Sequence, residues 1–345
     1  MKILVVAPNW IGDAVMSLSL LQALHRDDRL ASAGGEPCEI HVLAPPVTAP
    51  VYRCSPVVKA VHVEPFKHGE LQLTLRRKVG QALRAKGFKR AYILPNSLKS
   101  ALVPWFADIA WRTGYSGELR SLILTPVLPK PSKYAKPPML EWYGALGGYT
   151  AADLEYPRMQ VEGDVGAKAL RDFDLNGGFL AVAPGAEYGP AKRWPAEHVA
   201  ATVSGWLAAH PARVAVLLGG PQDLEFAQSI EQKVDPEHRQ RVRVLCGQTS
   251  LEQAFGLIAS ATALLTNDSG LMHVAAALDV KVHAVFGSSS PHHTPPLNTN
   301  ASVYYLALSC SPCYQRTCPL GHLDCLNQLK PKLVLDQLVP PGQGV

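Results

Sequence analysis

Short runs of β-branched and aliphatic residues alternate with segments of helical apolar spacing along most of this sequence. The strand-like runs occupy residues 2–7, 39–44, 57–63, 90–95, 179–185, 213–220, 241–245, 261–267 and 280–287. Buried parallel strands joined by helices follow from such an alternation. The sequence therefore predicts an α/β fold with doubly wound sheets, in which ligands bind just beyond the carboxyl ends of the strands.

The length of 345 residues exceeds what one hydrophobic core ordinarily organises, since single cores stop growing near ~250–300 residues. Apolar residues make up 47% of the chain and charged residues 18%, as in folded rather than disordered proteins. We therefore expect two domains, residues 1–165 and 166–345, with the division inside 150–175. The run 331–339 is expected to form a closing helix in the second domain.

Positive charge is concentrated in the first half of the chain. Residues 1–165 contain 20 Lys and Arg against 14 Asp and Glu, whereas residues 166–345 contain 13 against 14. Most of the excess lies in the segment 67–99. One interpretation is a solvated outer helix face, and the other is attraction to a phosphorylated glycolipid or an anionic membrane surface. Nucleic acid is disfavoured, because no recognised binding motif accompanies the charge.

The sequence contains no apolar run that approaches the ~18 residues of a membrane-spanning helix. The opening residues reach Pro8, Asn9 and Asp13 before the hydrophobic core of a signal peptide could form. We therefore expect a cytoplasmic protein, with peripheral contact to the inner membrane left open. The same observation disfavours a periplasmic binding protein, which would share the two-domain α/β pattern but carry a secretory leader.

The first strand-like run leads into P-N-W-I-G-D, and a helical segment follows Asp13. One role for this aspartate is to cap the helix, because Asp accepts hydrogen bonds from the N–H groups of a first turn. The other role is a general base that takes a proton from a sugar hydroxyl. Gly12 stands alone here, so the G-x-G-x-x-G fingerprint is absent and a nucleotide-sugar oxidoreductase is disfavoured.

After the run 179–185, the sequence A-E-Y-G-P-A-K-R-W-P places Lys192 and Arg193 just before a predicted helix start at Pro195. Cations at the positive end of a helix dipole are mildly unfavourable unless an anion is also bound. A bound diphosphate would remove this conflict. The alternative is a solvated pair of surface cations.

The run 261–267 ends in T-N-D-S-G and continues into another helical segment. Backbone N–H groups and small hydroxyls at a helix N-terminus can hold a diphosphate without a metal. The alternative is a polar cap, although Asn267, Asp268 and Ser269 in succession exceed what one cap requires. His273 lies within the helix, where we expect it to pack or to support the site rather than to act as a catalyst.

Four of the seven cysteines lie together, Cys310, Cys313, Cys318 and Cys325, with His322 among them. The C-x2-C pair makes a structural zinc site chemically feasible, but the spacings fit no standard finger. The alternative is reduced thiols in a tight loop, since disulfides are disfavoured in the cytoplasm. A zinc-dependent interaction module would leave the three loop clusters unexplained, and we expect no required metal.

The three loop motifs together resemble those of glycosyltransferase family 9, the lipopolysaccharide heptosyltransferases, over nearly the whole chain. These motifs are P-N-W-I-G-D-A-V-M, P-G-A-E-Y-G-P-A-K-R-W-P and T-N-D-S-G-L-M-H-V-A-A-A-L. They are closer to the members that add the second core heptose than to those that add the first. The resemblance implies a GT-B fold of two facing Rossmann-like domains, ADP-L-glycero-D-manno-heptose as donor and heptosyl-Kdo2-lipid A as acceptor. It also implies that the first domain binds the acceptor and the second the nucleotide sugar. We expect a monomer that requires no cofactor.

The resemblance further implies residue roles, with Asp13 as the catalytic base and Lys192 on the donor phosphate. The other expected donor contacts are Glu187, Asp223, Thr266, Asn267, Asp268, Ser269, Gly270 and His273. Asp223 is expected at the ribose hydroxyls. The first-heptose members carry phosphate-binding threonines at the positions of Glu187 and Tyr188. An ionised glutamate cannot bind phosphate in this way, so Glu187 is expected at sugar hydroxyls instead. The expected acceptor contacts are Asn9, Trp10, Gly12 and Arg120.

The expected chemistry is an inverting displacement. As the bond between anomeric carbon and phosphate breaks, negative charge grows on the ADP leaving group, where Lys192 and the N–H groups near Ser269 and Gly270 would stabilise it. Asp13 would deprotonate the acceptor hydroxyl on the opposite face of the sugar. Closure of the two domains would exclude water that otherwise hydrolyses the donor.

Overall fold

The protein is described by a computed structural model over residues 1–31, 34–67, 69–132, 136–175 and 178–339. The chain divides into two compact units, Met1–Gln160 and Val161–Val345. This division lies inside the expected interval 150–175. A division after residue 165 would cut the helix Gly163–Asp172, which belongs to the second unit.

The first unit contains a six-stranded sheet in the order β3-β2-β1-β4-β5-β6, with every neighbouring pair parallel. Its strands are β1 (Lys2–Val6), β2 (Glu39–Ala44), β3 (Val58–Val63), β4 (Arg90–Ile93), β5 (Trp111–Tyr115) and β6 (Val127–Leu128). Its α-helices are α1 (Ile11–Arg26), α2 (Ala49–Arg53), α3 (Leu73–Arg84), α4 (Leu98–Phe106) and α5 (Met139–Gly144). Short 3₁₀ turns cover Asp28–Leu30, Arg120–Leu122, Ala145–Gly147 and Ala151–Asp153.

The second unit repeats the same arrangement, with parallel strands in the order β12-β11-β10-β7-β8-β9. Its strands are β7 (Leu180–Ala183), β8 (Ala215–Leu217), β9 (Val242–Val244), β10 (Ala263–Asn267), β11 (Val282–Val285) and β12 (Ala301–Tyr304). Its α-helices are α6 (Gly163–Asp172), α7 (Ala196–Ala209), α8 (Leu224–Lys233), α9 (Pro236–Arg239), α10 (Leu251–Ala259), α11 (Gly270–Ala277), α12 (Asp324–Asn327) and α13 (Pro331–Leu338). Two 3₁₀ turns cover Pro190–Lys192 and Pro221–Asp223.

The central strands of both sheets are buried on both faces, because helices cover each side. In β1 the side chains of Ile3, Leu4 and Val5 are fully buried, which is why this strand is a continuous apolar run rather than an alternating one. In the second unit Trp194 is 1% exposed, and its indole N–H donates to the Leu329 carbonyl at 3.0 Å. The expected doubly wound α/β architecture is thereby confirmed for each unit.

The strand order reverses once in each sheet, between β1 and β4 and between β7 and β10. At such a point the connections leave in opposite directions and open a crevice beyond the carboxyl ends of the strands. The loops after β1 and β4 flank this point in the first unit. In the second unit, the loops after β7 and β10 flank it, and these are the loops with the second and third motifs.

All nine strands expected from the sequence are present, but β5, β6 and β12 were not expected. β5 is W-R-T-G-Y, in which polar and glycine residues hide the apolar pattern, and β6 has only two residues. β12 is a half-exposed edge strand. Helix α1 begins at Ile11, two residues before Asp13. Among the described residues, no helix combines the length and hydrophobicity that a membrane span requires.

The basic segment 67–99 forms α3 and its flanks, and Arg76 departs from the expected outer face. It is 5% exposed, donates to the carbonyls of Leu71 at 2.7 Å and Lys99 at 3.2 Å, and lies 3.9 Å from the centroid of the Phe66 ring. Arg76 therefore supports the fold and does not belong to the solvent-facing basic surface. The exposed cations of this segment are Lys67, Arg77, Lys78, Arg84, Lys86 and Lys89.

Gly80 provides a test of the close packing between α3 and α4. A Cβ at this position would lie 2.5 Å from the Phe106 Cβ and 2.8 Å from the Val103 carbonyl oxygen. Gly→Ala at an open helical site adds ~0.5–1 kcal/mol of stability. At Gly80 the clash outweighs this gain in stability. We therefore expect Gly80→Ala to lower the free energy of unfolding by ~1–3 kcal/mol. Urea titration measures this, with the exposed Gln81→Ala as control; a stabilised Gly80→Ala would contradict the packing.

Candidate functional site

The loop between β7 and α7 is fixed by the side chain of Asn267, which is 2% exposed. Its amide nitrogen donates to the Pro184 carbonyl at 2.5 Å, and its amide oxygen accepts the Trp194 N–H at 3.1 Å. Asn267 ends β10, the neighbour of β7, so one side chain connects both ends of the loop that contains Lys192. The neighbouring Thr266, 3% exposed, donates to the carbonyl of Asn267 at 2.9 Å.

Lys192 ends the 3₁₀ turn Pro190–Lys192 and meets Asp268 from the loop after β10. Its ammonium nitrogen lies 2.5 Å from the Asp268 carboxylate, and only 17% and 5% of the two side chains are exposed. Thr294 also donates to this carboxylate at 3.4 Å. The two motifs are thus brought together at the point where the strand order reverses, as an ion pair largely removed from water.

Ser269 and Gly270 follow Asp268 at the start of α11. Ser269 is the N-cap residue, but its hydroxyl makes no capping bond and instead lies 3.1 Å from the Thr266 hydroxyl. The first N–H groups of α11 therefore lack both an intrahelical acceptor and the N-cap side chain. They lie next to the Lys192–Asp268 pair and form the positive end of the helix dipole.

His273 lies one turn into α11 and is 4% exposed. Burial lowers the pKa of His273 to about 4, opposed by Asp268 and assisted by Lys192. Its Nδ1 has no hydrogen-bond partner among the described residues. The imidazole is therefore neutral at physiological pH and lies beneath the ion pair, consistent with a supporting rather than a catalytic position.

Arg193 and Asp223 form a second pair beside the first, with 3.4 Å between the guanidinium and the carboxylate. Asp223 is 6% exposed and also accepts the Gly220 N–H at 3.1 Å. Its carboxylate approaches Gly185 so closely that no Cβ fits there. The carboxylate thus lies against the loop of Lys192, while Glu187 on that loop is exposed.

Several side chains near this site were not expected from the sequence. Ser288, Ser289 and Ser290 follow β11 and are 1%, 4% and 7% exposed, and the hydroxyls of the first two have no partner among the described residues. Thr294 contacts Asp268 as given above. The three successive serines directly after the run 280–287 could have indicated this loop, because they occupy the same sheet edge as Asp268.

In the first unit Asp13 lies in the first turn of α1, where Trp10 rather than Asp13 is the N-cap residue. The carboxylate is close to the buried phenols of Tyr52 and Tyr143. Burial, followed for Tyr143 by the charge of Asp13, raises the pKa of both phenols. Trp10 is 45% exposed and Asn9 is also exposed, while Gly12 is half-buried.

Arg120 does not occupy the position expected of an acceptor contact. It is 0% exposed, and its guanidinium donates to the carbonyls of Tyr115 and Pro95 and to the Asn96 side chain. Burial lowers the pKa of Arg120 to about 10. The structure corrects the expectation: Arg120 fixes the loop after β4 from beneath, and its donors are already used within the protein.

The four clustered cysteines are free thiols that line one cavity together with His322 and Ser288. Backbone N–H groups, led by that of Leu323, lower the pKa of Cys318, whereas burial raises the pKa of Cys325 to about 11. Among the described residues, no three His, Cys, Asp or Glu side chains are arranged to hold a metal ion.

The chain was compared with known proteins. The model of the family described as "Glycosyltransferase family 9 (heptosyltransferase)" matches residues 76–324. Lipopolysaccharide heptosyltransferase 2 of Salmonella typhimurium is 40% identical, over 98% of this chain and 97% of its own. Lipopolysaccharide heptosyltransferase 2 of Escherichia coli K12 is 39% identical, again over 98% of this chain and 97% of its own. The solved structure of E. coli ADP-heptose lps heptosyltransferase II superposes with a TM-score of 0.83 at 38% identity, over 98% of this chain and 97% of that one.

The two bonds of Asn267 predict a stability cost for its removal. Asn267→Ala leaves the Trp194 N–H and the Pro184 carbonyl buried without this partner, and we expect the free energy of unfolding to fall by ~1–3 kcal/mol. Gln248→Ala, which removes an exposed amide that donates to Val244 at 2.8 Å, is the matched control and should change stability by less than ~0.5 kcal/mol. Equal effects in urea titration would contradict the role assigned to Asn267.

The lowered pKa of His273 predicts a pH dependence of stability. Between its ordinary value of 6.5 and about 4, the unfolded chain binds a proton that the folded protein does not, so this group destabilises the protein as pH falls through that window. We expect His273→Gln to reduce the slope of unfolding free energy against pH there by up to ~1.4 kcal/mol per unit. Between pH 7 and 8 the difference between the two proteins should stay constant. An unchanged slope below pH 6.5 would refute the buried, neutral imidazole.

Proposed function

The chain belongs to glycosyltransferase family 9, and from that premise we propose that it transfers L-glycero-D-manno-heptose from ADP-heptose to the first heptose of heptosyl-Kdo2-lipid A. Relatives named lipopolysaccharide heptosyltransferase 2 align with nearly the whole chain. The observation that carries the proposal is the Lys192–Asp268 pair beside the first turn of α11. It supplies a cation, a carboxylate and backbone donors at one sheet edge, as a sugar diphosphate requires.

Departure of ADP is assisted from the second unit. The bond between the anomeric carbon and the β-phosphate oxygen breaks, and its electron pair stays on that oxygen. Lys192 and the N–H groups at Ser269 and Gly270 stabilise the resulting charge, and they act strongly because the pair is largely buried. No metal enters this scheme, since Lys192 and the N–H groups at the start of α11 donate hydrogen bonds to the leaving oxygen.

Asp268 has two tasks in this proposal. Its carboxylate holds Lys192 in place before the donor binds, and it accepts hydrogen bonds from hydroxyls of the heptose. Glu187, which is exposed, contacts sugar hydroxyls as well. Asp223 serves the ribose, through the face of its carboxylate that is not bonded to Arg193 and Gly220. Thr266, Asn267 and His273 position these groups from below rather than touch the donor.

Asp13 accepts the proton of the attacking acceptor hydroxyl. The hydroxyl oxygen forms the new bond to the anomeric carbon as the old bond to phosphate breaks, so the configuration inverts. The nearby phenols of Tyr52 and Tyr143 are buried and remain protonated, which leaves the carboxylate as the base of this cluster. Asn9 and Trp10 lie on the loop before α1 and Gly12 in its first turn, and these residues contact the acceptor sugar.

The setting of the reaction follows from the acceptor, which is a glycolipid. We propose that the protein works as a monomer at the cytoplasmic face of the inner membrane. The exposed cations of the segment 67–99 would be attracted to anionic headgroups there. Arg76, which is buried, takes no part in this contact.

Two substitutions test the roles of the acid and the cation. Asp13→Asn should slow transfer ~10²–10⁴-fold, because a general base is lost. Lys192→Met should slow it ~10²–10³-fold, as expected for removal of one donor to a developing oxyanion. The measurement is heptose transfer from ADP-heptose to purified inner-core acceptor, with and without excess chelator. Lys332→Met, an exposed lysine paired with Asp336 at 2.8 Å, is the control and should retain the wild-type rate.

Each residue role, the metal requirement and the reaction itself can be refuted separately. Full activity of Asp13→Asn would reduce that residue to a favourable charge in the first turn of α1. Full activity of Lys192→Met would remove the leaving-group role. Loss of wild-type activity in chelator would show that a metal is required, and failure of the wild type to transfer heptose would refute the proposed reaction itself.

A further inference from the structure

The segment Cys310–Cys325, called here the cysteine segment, packs directly on the loop of Lys192 and on the loop of Ser288 after β11. The Arg316 carbonyl accepts the Ala191 N–H at 3.0 Å, next to Lys192. The Tyr188 hydroxyl donates to the Tyr314 carbonyl at 2.7 Å, and the Tyr314 N–H donates to the Ser288 carbonyl at 2.7 Å. The backbone around Arg316 is therefore fixed relative to both loops.

Gly189 permits this contact. A Cβ at Gly189 would lie 2.5 Å from the Arg316 carbonyl oxygen, and its φ of 152° is one that side chains rarely adopt. The cysteine segment can approach the loop of Lys192 only because this residue is glycine. The contact is a built feature of the site rather than a chance neighbour on the surface.

Two cations share the ring of Tyr188. The Lys192 ammonium lies 5.1 Å from the ring centroid and the Arg316 guanidinium 5.2 Å from it. Both distances are within the range of cation–π attraction, which stabilises a cation without neutralising it. Arg316 itself is exposed, so a ligand can reach it.

Both cations of the Lys192 loop lie in ion pairs. Lys192 is paired with Asp268 and Arg193 with Asp223, so these four side chains contribute no net positive charge. Within the part of the chain that the structure describes, Arg316 pairs with no carboxylate. It is therefore the side chain near Lys192 that adds uncompensated positive charge, which a diphosphate leaving group needs.

We propose that Arg316 is a second cationic contact of the donor diphosphate, held by Tyr188 and by the cysteine segment. The inference rests on the proposed function and adds a phosphate-binding residue to it. A guanidinium presents two parallel N–H groups to phosphate oxygens. Its guanidinium carbon lies 5.2 Å from the centre of the Tyr188 ring, and the exposed side chain remains accessible to the ligand.

The test compares Arg316→Gln and Arg316→Lys with wild type by calorimetric binding of ADP and of adenosine, and by the KM for ADP-heptose. Arg316→Gln should raise the Kd for ADP about tenfold, the lower end for loss of a hydrogen bond to a charged group. Arg316→Lys should lose less, because the charge remains. Adenosine binding should be unchanged, and the salt dependence of ADP binding should become shallower in Arg316→Gln. Arg243→Gln, at another exposed arginine of the second unit, is the control and should bind ADP like wild type.

The proposal is overturned if Arg316→Gln binds ADP like wild type at low salt while wild type transfers heptose. In that case the proposed function holds without a role for Arg316. A matching loss of adenosine affinity would also overturn it, because the substitution would then have disturbed the fold of the site. If wild type binds no ADP and transfers no heptose, the proposed function fails, and the role of Arg316 fails with it.

Discussion

The arrangement of the second unit depends on one buried amide, that of Asn267. Parallel strands that are neighbours in a sheet end at the same edge, but their loops are held together only by what crosses between them. Asn267 bonds to Pro184 at the start of one loop and to Trp194 at its end. The span of that loop is thereby fixed, and Lys192 is brought to Asp268. A buried ion pair contributes little net stability by itself, since desolvation offsets the attraction. The geometry must therefore come from the amide and the sheet.

Much of the fold, and the positions of the polar loops, could be predicted from the sequence. The alternation of apolar runs predicted two doubly wound sheets, and the motifs after three strands predicted which loops contain the polar clusters. Strands β5, β6 and β12 were missed, because their residues are polar, few or half-exposed and lack a periodic pattern. The internal bonds of Thr266 and Asn267 were missed for another reason. Sequence places a polar residue at a strand end, but it does not tell whether the side chain turns toward a ligand or toward a neighbouring loop.

Arg120 shows the same limit in the first unit. The family resemblance implied an acceptor contact at this arginine, yet the side chain is enclosed and its donors bond to Tyr115, Pro95 and Asn96. Arg316 is the converse case. It lies far along the chain in a segment notable for its cysteines, and only the tertiary contacts of Tyr188 and Gly189 bring it to the loop of Lys192. Long-range packing of this kind leaves no local pattern to read.

The loop of Asn9 and Trp10 differs from the segment at the end of β10, because both of these residues are exposed, whereas Asn267 and Asp268 are enclosed. Substitutions at exposed positions change stability little, while those at enclosed polar positions are costly. Evolution can accordingly alter the first loop with small penalties to folding, and the second only with large ones. Under the proposed roles of the two segments, diversification among descendants of such a protein should therefore affect the sugar that receives the heptose sooner than the nucleotide that delivers it.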